Sequence, residues 1–307
     1  MKVLVTGGAG YLGCLVAPLL LEQGHEVTVF DKLMWGVQPL LHVASKPNLR
    51  IVRGDVRDEI ALREVVRGQD AVVNLAAIVG YPACLENPSE ARETNQEAVE
   101  GLSRMLSPSQ LLIQASTGST YGKVDGICME ETPINPLTIY GETKAKAEAP
   151  VLAHGGVPLR FATVFGVSPR MRLDLLVNEI VYQVAHYGTF VMYEGHSRRT
   201  FLHSQDAAAS VLFALNNYNQ MSGRAFNVGD EKLNYTKRAI ADLVMAEHRY
   251  YLHIAEFGED KDKRDYEVSY GRIKQLGYRA AVSMEEGIRE LLKVTPLIKE
   301  RSILRNI

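Results

Sequence analysis

A tyrosine and a lysine four residues apart, Tyr140 and Lys144, form the pair in this chain best suited to moving a proton. Four residues span about one helical turn, so both side chains would lie on the same face of a helix. A free phenol titrates near pH ~10, and a neighbouring ammonium lowers that pKa because it favours the phenolate. The spacing indicates a general acid/base pair, and the alternative is an ordinary pair on a helix surface.

A run of small hydroxyl residues precedes this pair. The apolar segment Leu111–Ala115 reads as a strand and leads into Ser116-Thr117-Gly118-Ser119-Thr120-Tyr121-Gly122. Open α/β sheets bind their ligands at the carboxyl ends of the strands. Hydroxyl groups at such a strand end can therefore hold a substrate oxygen close to the tyrosine.

A glycine-rich turn lies at the start of the chain, where Val3–Val5 leads into Thr6-Gly7-Gly8-Ala9-Gly10-Tyr11-Leu12-Gly13. Glycines at a strand-to-helix turn let the backbone approach a pyrophosphate, which the N–H groups of the helix N-terminus then bind. A second strand, Glu26–Phe30, ends at Asp31, whose carboxylate can accept hydrogen bonds from a ribose and repel a 2′-phosphate. The pattern predicts NAD as the cofactor, although Lys32 weakens the bias against NADP; the alternative is a glycine-rich turn without a ligand.

In combination, these motifs resemble the extended short-chain dehydrogenase/reductase family, specifically its NAD-dependent sugar-nucleotide epimerases and dehydratases. Further segments carry the same resemblance, namely Asp55-Val56, Leu75-Ala76-Ala77 and Arg199-Thr200-Phe201-Leu202-His203. The resemblance covers nearly the whole chain. It implies an NAD-dependent enzyme that acts on a nucleoside-diphosphate sugar.

The resemblance also implies roles for individual residues. Tyr140 would be the catalytic acid/base, Lys144 would tune it, and Thr117 would hold the reacting oxygen. The cofactor would contact Tyr140 and Lys144 as well as Gly7, Gly10, Tyr11, Leu12, Asp31, Asp55, Val56, Leu75, Ala76 and Ala77. The substrate would contact Thr117, Thr163, Asn178, Arg199 and Arg264, with the two guanidinium groups clamping its diphosphate. Surface salt bridges for the arginines and a solvated position for Asn178 are the alternatives.

Departures from the family pattern narrow the predicted reaction. The 4,6-dehydratases carry an Asp-Glu pair after the catalytic threonine, and the decarboxylases carry a glutamate there. This chain has Gly118 and Ser119, neither of which can act as acid or base at neutral pH. We therefore predict a sugar-nucleotide 4-epimerase or 4-dehydrogenase/4-keto reductase and disfavour a 4,6-dehydratase. The alternatives are a dehydrogenase or reductase of a non-sugar secondary alcohol and a non-catalytic dinucleotide-sensing protein.

Alternating strands and helices must position these residues. The apolar segments predict strands at 2–6, 26–30, 49–53, 71–75, 111–115 and 157–162, with helices near 12–23, 59–67, 89–106 and 139–153. Such alternation predicts an α/β fold with a Rossmann-type doubly wound parallel sheet. We expect an NAD-binding domain over 1–165 and a smaller, mainly substrate-binding lobe over 166–307, with part of 200–235 returning to the first domain. Helices near 173–187, 205–217, 236–247 and 284–293 and a strand near 189–193 belong to the later part.

Composition restricts the partners and the cellular setting. The chain has 307 residues, 46% hydrophobic and 23% charged, and a net charge of −2, which predicts neither nucleic acid nor a membrane as partner. Cys14, Cys84 and Cys128 lack metal-ligand spacing, so we expect no metal. Their odd number argues against a disulfide framework and favours a cytoplasmic protein. The resemblance implies a homodimer that pairs helices 89–106 and 139–153.

Overall fold

The computed structural model describes residues 1–255 and 265–299. Its strands are β1 Lys2–Thr6, β2 Glu26–Asp31, β3 Leu49–Arg53, β4 Ala71–Asn74, β5 Leu111–Thr117, β6 Lys123–Cys128, β7 Val157–Phe161, β8 Thr163–Phe165, β9 Thr189–Met192, β10 Arg198–His203, β11 Phe226–Val228, β12 Asn234–Thr236, β13 Tyr251–Ile254 and β14 Asp265–Val268. Its helices are α1 Gly13–Glu22, α2 Glu59–Val66, α3 Tyr81–Glu86, α4 Pro88–Arg92, α5 Ala98–Met105, α6 Ile139–Ala153, α7 Leu176–Tyr187, α8 Ser204–Asn216, α9 Tyr218–Met221, α10 Lys237–Glu247, α11 Gly271–Gln275 and α12 Met284–Val294.

Seven parallel strands form the central sheet in the order β3-β2-β1-β4-β5-β7-β11. The strand order reverses between β1 and β4, which is the switch point of a doubly wound sheet. The predicted Rossmann-type fold is therefore confirmed. The edge strand β11 comes from residues 226–228, so a late part of the chain completes the sheet.

The inner strands form because their side chains are apolar on both faces. Val3, Leu4 and Val5 of β1 are fully buried, as are the apolar residues of β4. Consecutive buried residues are typical of a parallel sheet with helices on both sides. Here α1 and α8 cover one face, and α2, α5 and α6 cover the other.

A second hydrophobic core lies in the later half of the chain. It joins side chains of α7, α10 and α12 with Phe165 at the end of β8 and Phe201 in β10. Around it lie the short sheets β12-β10-β8 and β13-β9, while β14 pairs with β6. No helix in the described parts of the chain has the length and apolar character needed to span a bilayer.

The helix predicted near 89–106 is present without a gap from Pro88 to Met105, and the structure adds a π-helical turn inside it. Between α4 and α5, residues Glu93–Glu97 form a π-helical turn, a widening that is frequent at functional sites. Buried Asn95 lies in this turn and bonds both backbone groups of Ile78, accepting from its N–H at 2.8 Å and donating to its C=O at 2.9 Å. The turn thus fixes the segment that follows β4.

Candidate active site

A cavity of about 530 Å³ opens at the carboxyl ends of the central strands, across the switch point between β1 and β4. Ligand sites of α/β proteins occur at this position and have this order of size. The predicted site residues that line it are Gly7, Gly10, Tyr11, Leu12, Asp31, Asp55, Val56, Leu75, Ala76, Ala77, Thr117, Tyr140, Lys144 and Thr163. Residues far apart in the sequence are therefore brought to one cavity.

The glycine turn closes tightly against the strand next to it. Gly7 has φ +68°, and a Cβ atom added there would lie 2.7 Å from the backbone nitrogen of Ala76. A Cβ on Gly13 would lie 2.2 Å from the carbonyl oxygen of Gly7. Both positions therefore require glycine.

Helix α1 begins at this turn, with Gly10–Gly13 facing the cavity. In the described structure no side chain caps this helix N-terminus, and its first turn holds no acidic residue. The backbone N–H groups and the positive end of the helix dipole are therefore available to bind an anion, such as a pyrophosphate.

Asp31 lies at the end of β2, where its carboxylate is already oriented by the backbone. One oxygen accepts from the N–H of Ala9 at 3.0 Å and the other from that of Leu33 at 2.7 Å. Burial raises the pKa of this carboxyl group, and the two backbone hydrogen bonds act in the opposite direction. Each oxygen keeps a second lone pair, which could accept from a ribose hydroxyl.

Tyr140 and Lys144 lie one turn apart at the start of α6, and both line the cavity. Thr138 caps this helix by accepting from the N–H of Gly141 at 3.1 Å. A Cβ on Gly141 would lie 2.8 Å from the carbonyl oxygen of Ser119. The glycine therefore lets α6 approach the turn after β5, which brings the tyrosine and the hydroxyl residues to the same cavity.

The turn after β5 is ordered by its own hydroxyl groups. The Oγ1 atom of Thr117 accepts from the N–H of Ser119 and donates to the Oγ of Ser119, both at 3.1 Å. Thr117 and Ser119 both line the cavity. The described lining residues contributed by β5, this turn and the start of α6 include no carboxylate.

Lys144 is almost fully buried, with 2% of its surface exposed. Burial lowers the pKa of its amine to about 8, against the opposing influence of the Glu148 carboxylate one turn further along α6. Glu148 in turn accepts from Ser116 Oγ at 2.5 Å and from the Arg160 guanidinium at 2.7 Å. We did not predict Glu148 or Arg160; the four-residue spacing of Tyr140, Lys144 and Glu148 was the available signal.

The segment after β8 forms another wall of the cavity. Arg170 and Arg172 both line it, and the Arg172 guanidinium is paired with Asp174 at 2.5 Å. The guanidinium of Arg170 lies over the ring of Trp35, 4.2 Å from its centroid, a cation–π contact with the loop that follows β2. Burial beside Arg172 lowers the pKa of Arg170 to about 10. Because this segment carries two guanidinium groups and one carboxylate, the net charge of this wall is positive.

Two of the predicted substrate residues, Asn178 and Arg199, are not among the described residues that line the cavity. The fully buried amide of Asn178 accepts from the N–H of Gly166 at 2.9 Å and donates to the carbonyl of Arg172 at 2.9 Å, so it braces the loop that carries the two arginines. Its burial excludes the solvated surface position, and the substrate contact of Asn178 stays a prediction. Arg199 is buried and donates to the carbonyl of Arg198, while Arg264 lies outside the described residues.

Comparison with known proteins places the chain within one family. Residues 3–229 match the NAD dependent epimerase/dehydratase family. The chain is 28% identical to a dTDP-glucose 4,6-dehydratase of Streptomyces niveus, over 95% of this chain and 92% of the relative. It is 31% identical to a UDP-glucose 4-epimerase of Streptococcus mutans, over 75% and 76%.

A solved structure with the same fold is the dTDP-glucose 4,6-dehydratase of Streptomyces venezuelae, which was determined with NAD bound. It shares 25% sequence identity with this chain and superposes with a TM-score of 0.83, over 96% of this chain and 98% of the other. Relatives with different reactions thus match this chain at similar levels. The choice among reactions must rest on the residues of the site.

Proposed function

Because the chain belongs to the NAD dependent epimerase/dehydratase family, we propose that it oxidises and reduces C4 of a nucleoside-diphosphate sugar. It would act as a sugar-nucleotide 4-epimerase or as a 4-dehydrogenase/4-keto reductase. The single observation that carries this choice is the cavity wall formed by β5, its turn and the start of α6. That wall offers a tyrosine, a lysine and hydroxyl groups, and no carboxylate.

A 4,6-dehydratase needs more than this wall supplies. Elimination of water removes a proton from C5 and protonates the departing hydroxyl of C6, which requires an acid and a base besides the tyrosine. Gly118 and Ser119 occupy the turn where such groups would be expected. The 28% identity to a 4,6-dehydratase is therefore compatible with a different reaction on the shared fold.

The proton steps follow from the positions of the side chains. Tyr140, as phenolate, would accept the proton of the C4 hydroxyl while the carbinol becomes a ketone, and on reduction the phenol would return that proton to the C4 oxygen. Lys144, one turn away, favours the phenolate while its amine is protonated. Thr117, held by Ser119 at 3.1 Å, would position the C4 oxygen.

The residues present fit the family's cofactor. The uncapped start of α1 would bind the pyrophosphate, and Asp31 would accept from the ribose. Bound NAD would supply the acceptor and donor of hydride.

Three further proposals concern the substrate and the assembly. Arg199 and Arg264 would clamp the substrate diphosphate, and the later core would belong to a substrate-binding lobe. Helices α4, α5 and α6 would pair with those of a second copy in a homodimer.

Product analysis tests the proposed reaction. The purified protein would be incubated separately with UDP-glucose, UDP-galactose, UDP-glucuronic acid and dTDP-glucose, and the nucleotide sugars would be identified by NMR and chromatography. We expect a C4 epimer, or a 4-keto sugar formed together with absorbance at the wavelength of reduced nicotinamide. A 4-keto-6-deoxy product would overturn the choice of reaction. Turnover of neutral alcohols alone would overturn the choice of substrate.

The variant Tyr140→Phe tests the role of the phenol in the same assays. We expect turnover to fall by roughly 10²–10⁴-fold, the range of a lost general acid/base, while NAD affinity stays within a few-fold. The matched control is Tyr81→Phe, which removes a phenol from another position on the cavity wall. Unchanged turnover in Tyr140→Phe would remove Tyr140 from the mechanism.

A further inference from the structure

The rim of the cavity next to Asp31 contains a lysine that could bind a phosphate. Lys32 follows Asp31 directly at the end of β2 and lines the cavity. This strand end is where the extra 2′-phosphate of NADP lies in dinucleotide-binding folds. An unengaged ammonium at this position would attract that phosphate and offset the repulsion from Asp31.

In the structure, the ammonium group of Lys32 forms ion pairs with two carboxylates. Its Nζ atom lies 3.1 Å from Glu90 Oε1 in α4 and 3.4 Å from Asp55 Oδ2 after β3. The second oxygen of Glu90 accepts from the side-chain amide of Asn87 at 3.0 Å. Asn87 thus orients Glu90 toward the lysine, and three separate segments of the chain meet at this ammonium.

A second cation, Arg57, contacts the same two carboxylates and also Glu93. Its guanidinium lies 2.7 Å from Asp55, 3.3 Å from Glu90 and 3.0 Å from Glu93. Partial burial acts to raise the pKa of the Asp55 carboxyl group, but hydrogen bonds from Arg57 lower this pKa to about 2. The carboxylate is therefore ionised at every physiological pH.

We propose that Glu90, oriented by Asn87, determines cofactor choice by neutralising Lys32, so that this protein binds NAD in preference to NADP. Around Lys32 and Arg57, the three carboxylates of Asp55, Glu90 and Glu93 outnumber the two cations. Asp31, the residue before Lys32, adds a further carboxylate to the cavity wall. A 2′-phosphate brought there meets an excess of negative charge. This inference rests on dinucleotide binding in the cavity and is independent of the reaction proposed above.

Titration of the protein freed of bound dinucleotide tests this inference. NAD⁺ and NADP⁺ would each be titrated by calorimetry into the wild type and into Glu90→Gln, which keeps the shape of the side chain and removes its charge. We expect NADP⁺ to bind about tenfold more tightly to the variant, a typical effect of one charge-assisted hydrogen bond. NAD⁺ affinity should stay within about threefold because no phosphate meets the lysine.

Two further variants distinguish this inference from a general change of charge. Glu86→Gln removes a carboxylate that lines the same cavity and should leave the affinity ratio unchanged. Lys32→Met combined with Glu90→Gln should abolish the gain for NADP⁺. An equal gain in Glu86→Gln, or a gain that persists without Lys32, would overturn the role of Glu90. Failure of the wild type to bind either dinucleotide would overturn the cofactor assignment itself.

Discussion

At the scale of single residues, the buried amine of Lys144 has a consequence for the stability of the fold. Burial lowers its pKa from 10.5 to about 8. Between these two values the unfolded chain holds a proton that the folded protein has released, so stability rises with pH through this interval. Below about pH 8 the folded protein keeps a charged amine out of water, which disfavours folding. The protein thus retains a destabilising group that the proposed chemistry needs.

We predict that Lys144→Met raises the melting temperature at pH 7 by several degrees, since a change of ~1 kcal/mol corresponds to about 2–4 °C in a domain of this size class. Activity should fall at the same time. The stability gain should shrink as pH rises from about 8 toward 10.5, because the folded wild-type protein then holds a neutral amine and no longer buries a charge. Thermal unfolding of the cofactor-free protein between pH 6 and 10 measures both effects.

Lys146→Met is the matched control for this prediction. Lys146 lies in the same helix, is exposed, and pairs with Glu142 at 2.6 Å. Surface pairs of this kind contribute little to stability, so its replacement should leave the melting temperature within about one degree. A gain in Lys146→Met equal to that in Lys144→Met would show that burial of the amine is not the cause.

Residue types and spacings predicted the centre of the site, and long-range packing decided the rest. Tyr140, Lys144 and the glycines carry local signals, because helix periodicity or a strand-to-helix turn constrains them. Asn178 carries no local signal of its burial, since its partners Gly166 and Arg172 become neighbours only when the loop folds. The spacing of Glu148 from Lys144 places it on the same helix face, but its pairing with Arg160 joins α6 to β7 and has no local signal.

At the scale of elements, the β1–α1 turn tests the predicted cofactor site. We predict that Gly7→Ala lowers NAD affinity by at least about tenfold, because its Cβ would lie 2.7 Å from Ala76 and displace the turn. Stability should fall by roughly 1–3 kcal/mol from strain at φ +68°. Calorimetric titration with NAD⁺ and chemical denaturation measure the two effects separately.

The control is Gly24→Ala, which places alanine at a positive φ angle as Gly7→Ala does but brings its Cβ atom into contact with nothing. Gly24 follows α1 with φ +78°, and an added Cβ there meets nothing within 4 Å. The Gly24→Ala variant should lose a similar part of its folding free energy and keep the NAD affinity of the wild type. If both variants lost affinity equally, general destabilisation rather than the geometry of the turn would be responsible.

The predicted elements differ in how far sequence alone could define them. Six of the seven strands of the central sheet were predicted within two residues of their observed bounds, because continuous apolar runs between helices are a strong signal. Strands of three residues such as β8 and β11 were missed as separate elements, because they are defined by pairing with β10 and β7 rather than by a local pattern. The π-helical turn within the helix near 89–106 likewise has no local signal, and its Asn95 is held by a long-range contact with Ile78.

At the scale of the whole molecule, one buried carboxylate links the two hydrophobic cores. Asp206 lies in the first turn of α8, which packs on the central sheet. Its oxygens accept from the backbone N–H groups of Ala281 at 2.9 Å and Val282 at 3.0 Å, just before α12 of the second core. Removing the carboxylate would leave both donors without this acceptor.

We predict that Asp206→Ala lowers the free energy of unfolding by about 3 kcal/mol, the order expected for two buried hydrogen bonds to a charged group. Chemical denaturation measures the loss. The control is Asp58→Ala, because Asp58 also accepts from two backbone N–H groups, those of Ile60 and Ala61, as the exposed cap of α2. Its loss should cost only about 1 kcal/mol, and equal losses would contradict the linking role of Asp206.

The contact between Arg170 and Trp35 has a kinetic consequence. It joins the loop after β2 to the segment after β8, and both residues line the cavity. If the proposed dinucleotide lies beneath this contact, the contact would have to open before the dinucleotide dissociates. We therefore expect that, if the reaction is the proposed 4-epimerisation, which leaves the nicotinamide in its starting oxidation state, the cofactor stays bound for longer than one catalytic cycle. Stopped-flow exchange of bound NAD, compared with the turnover rate, measures this ratio.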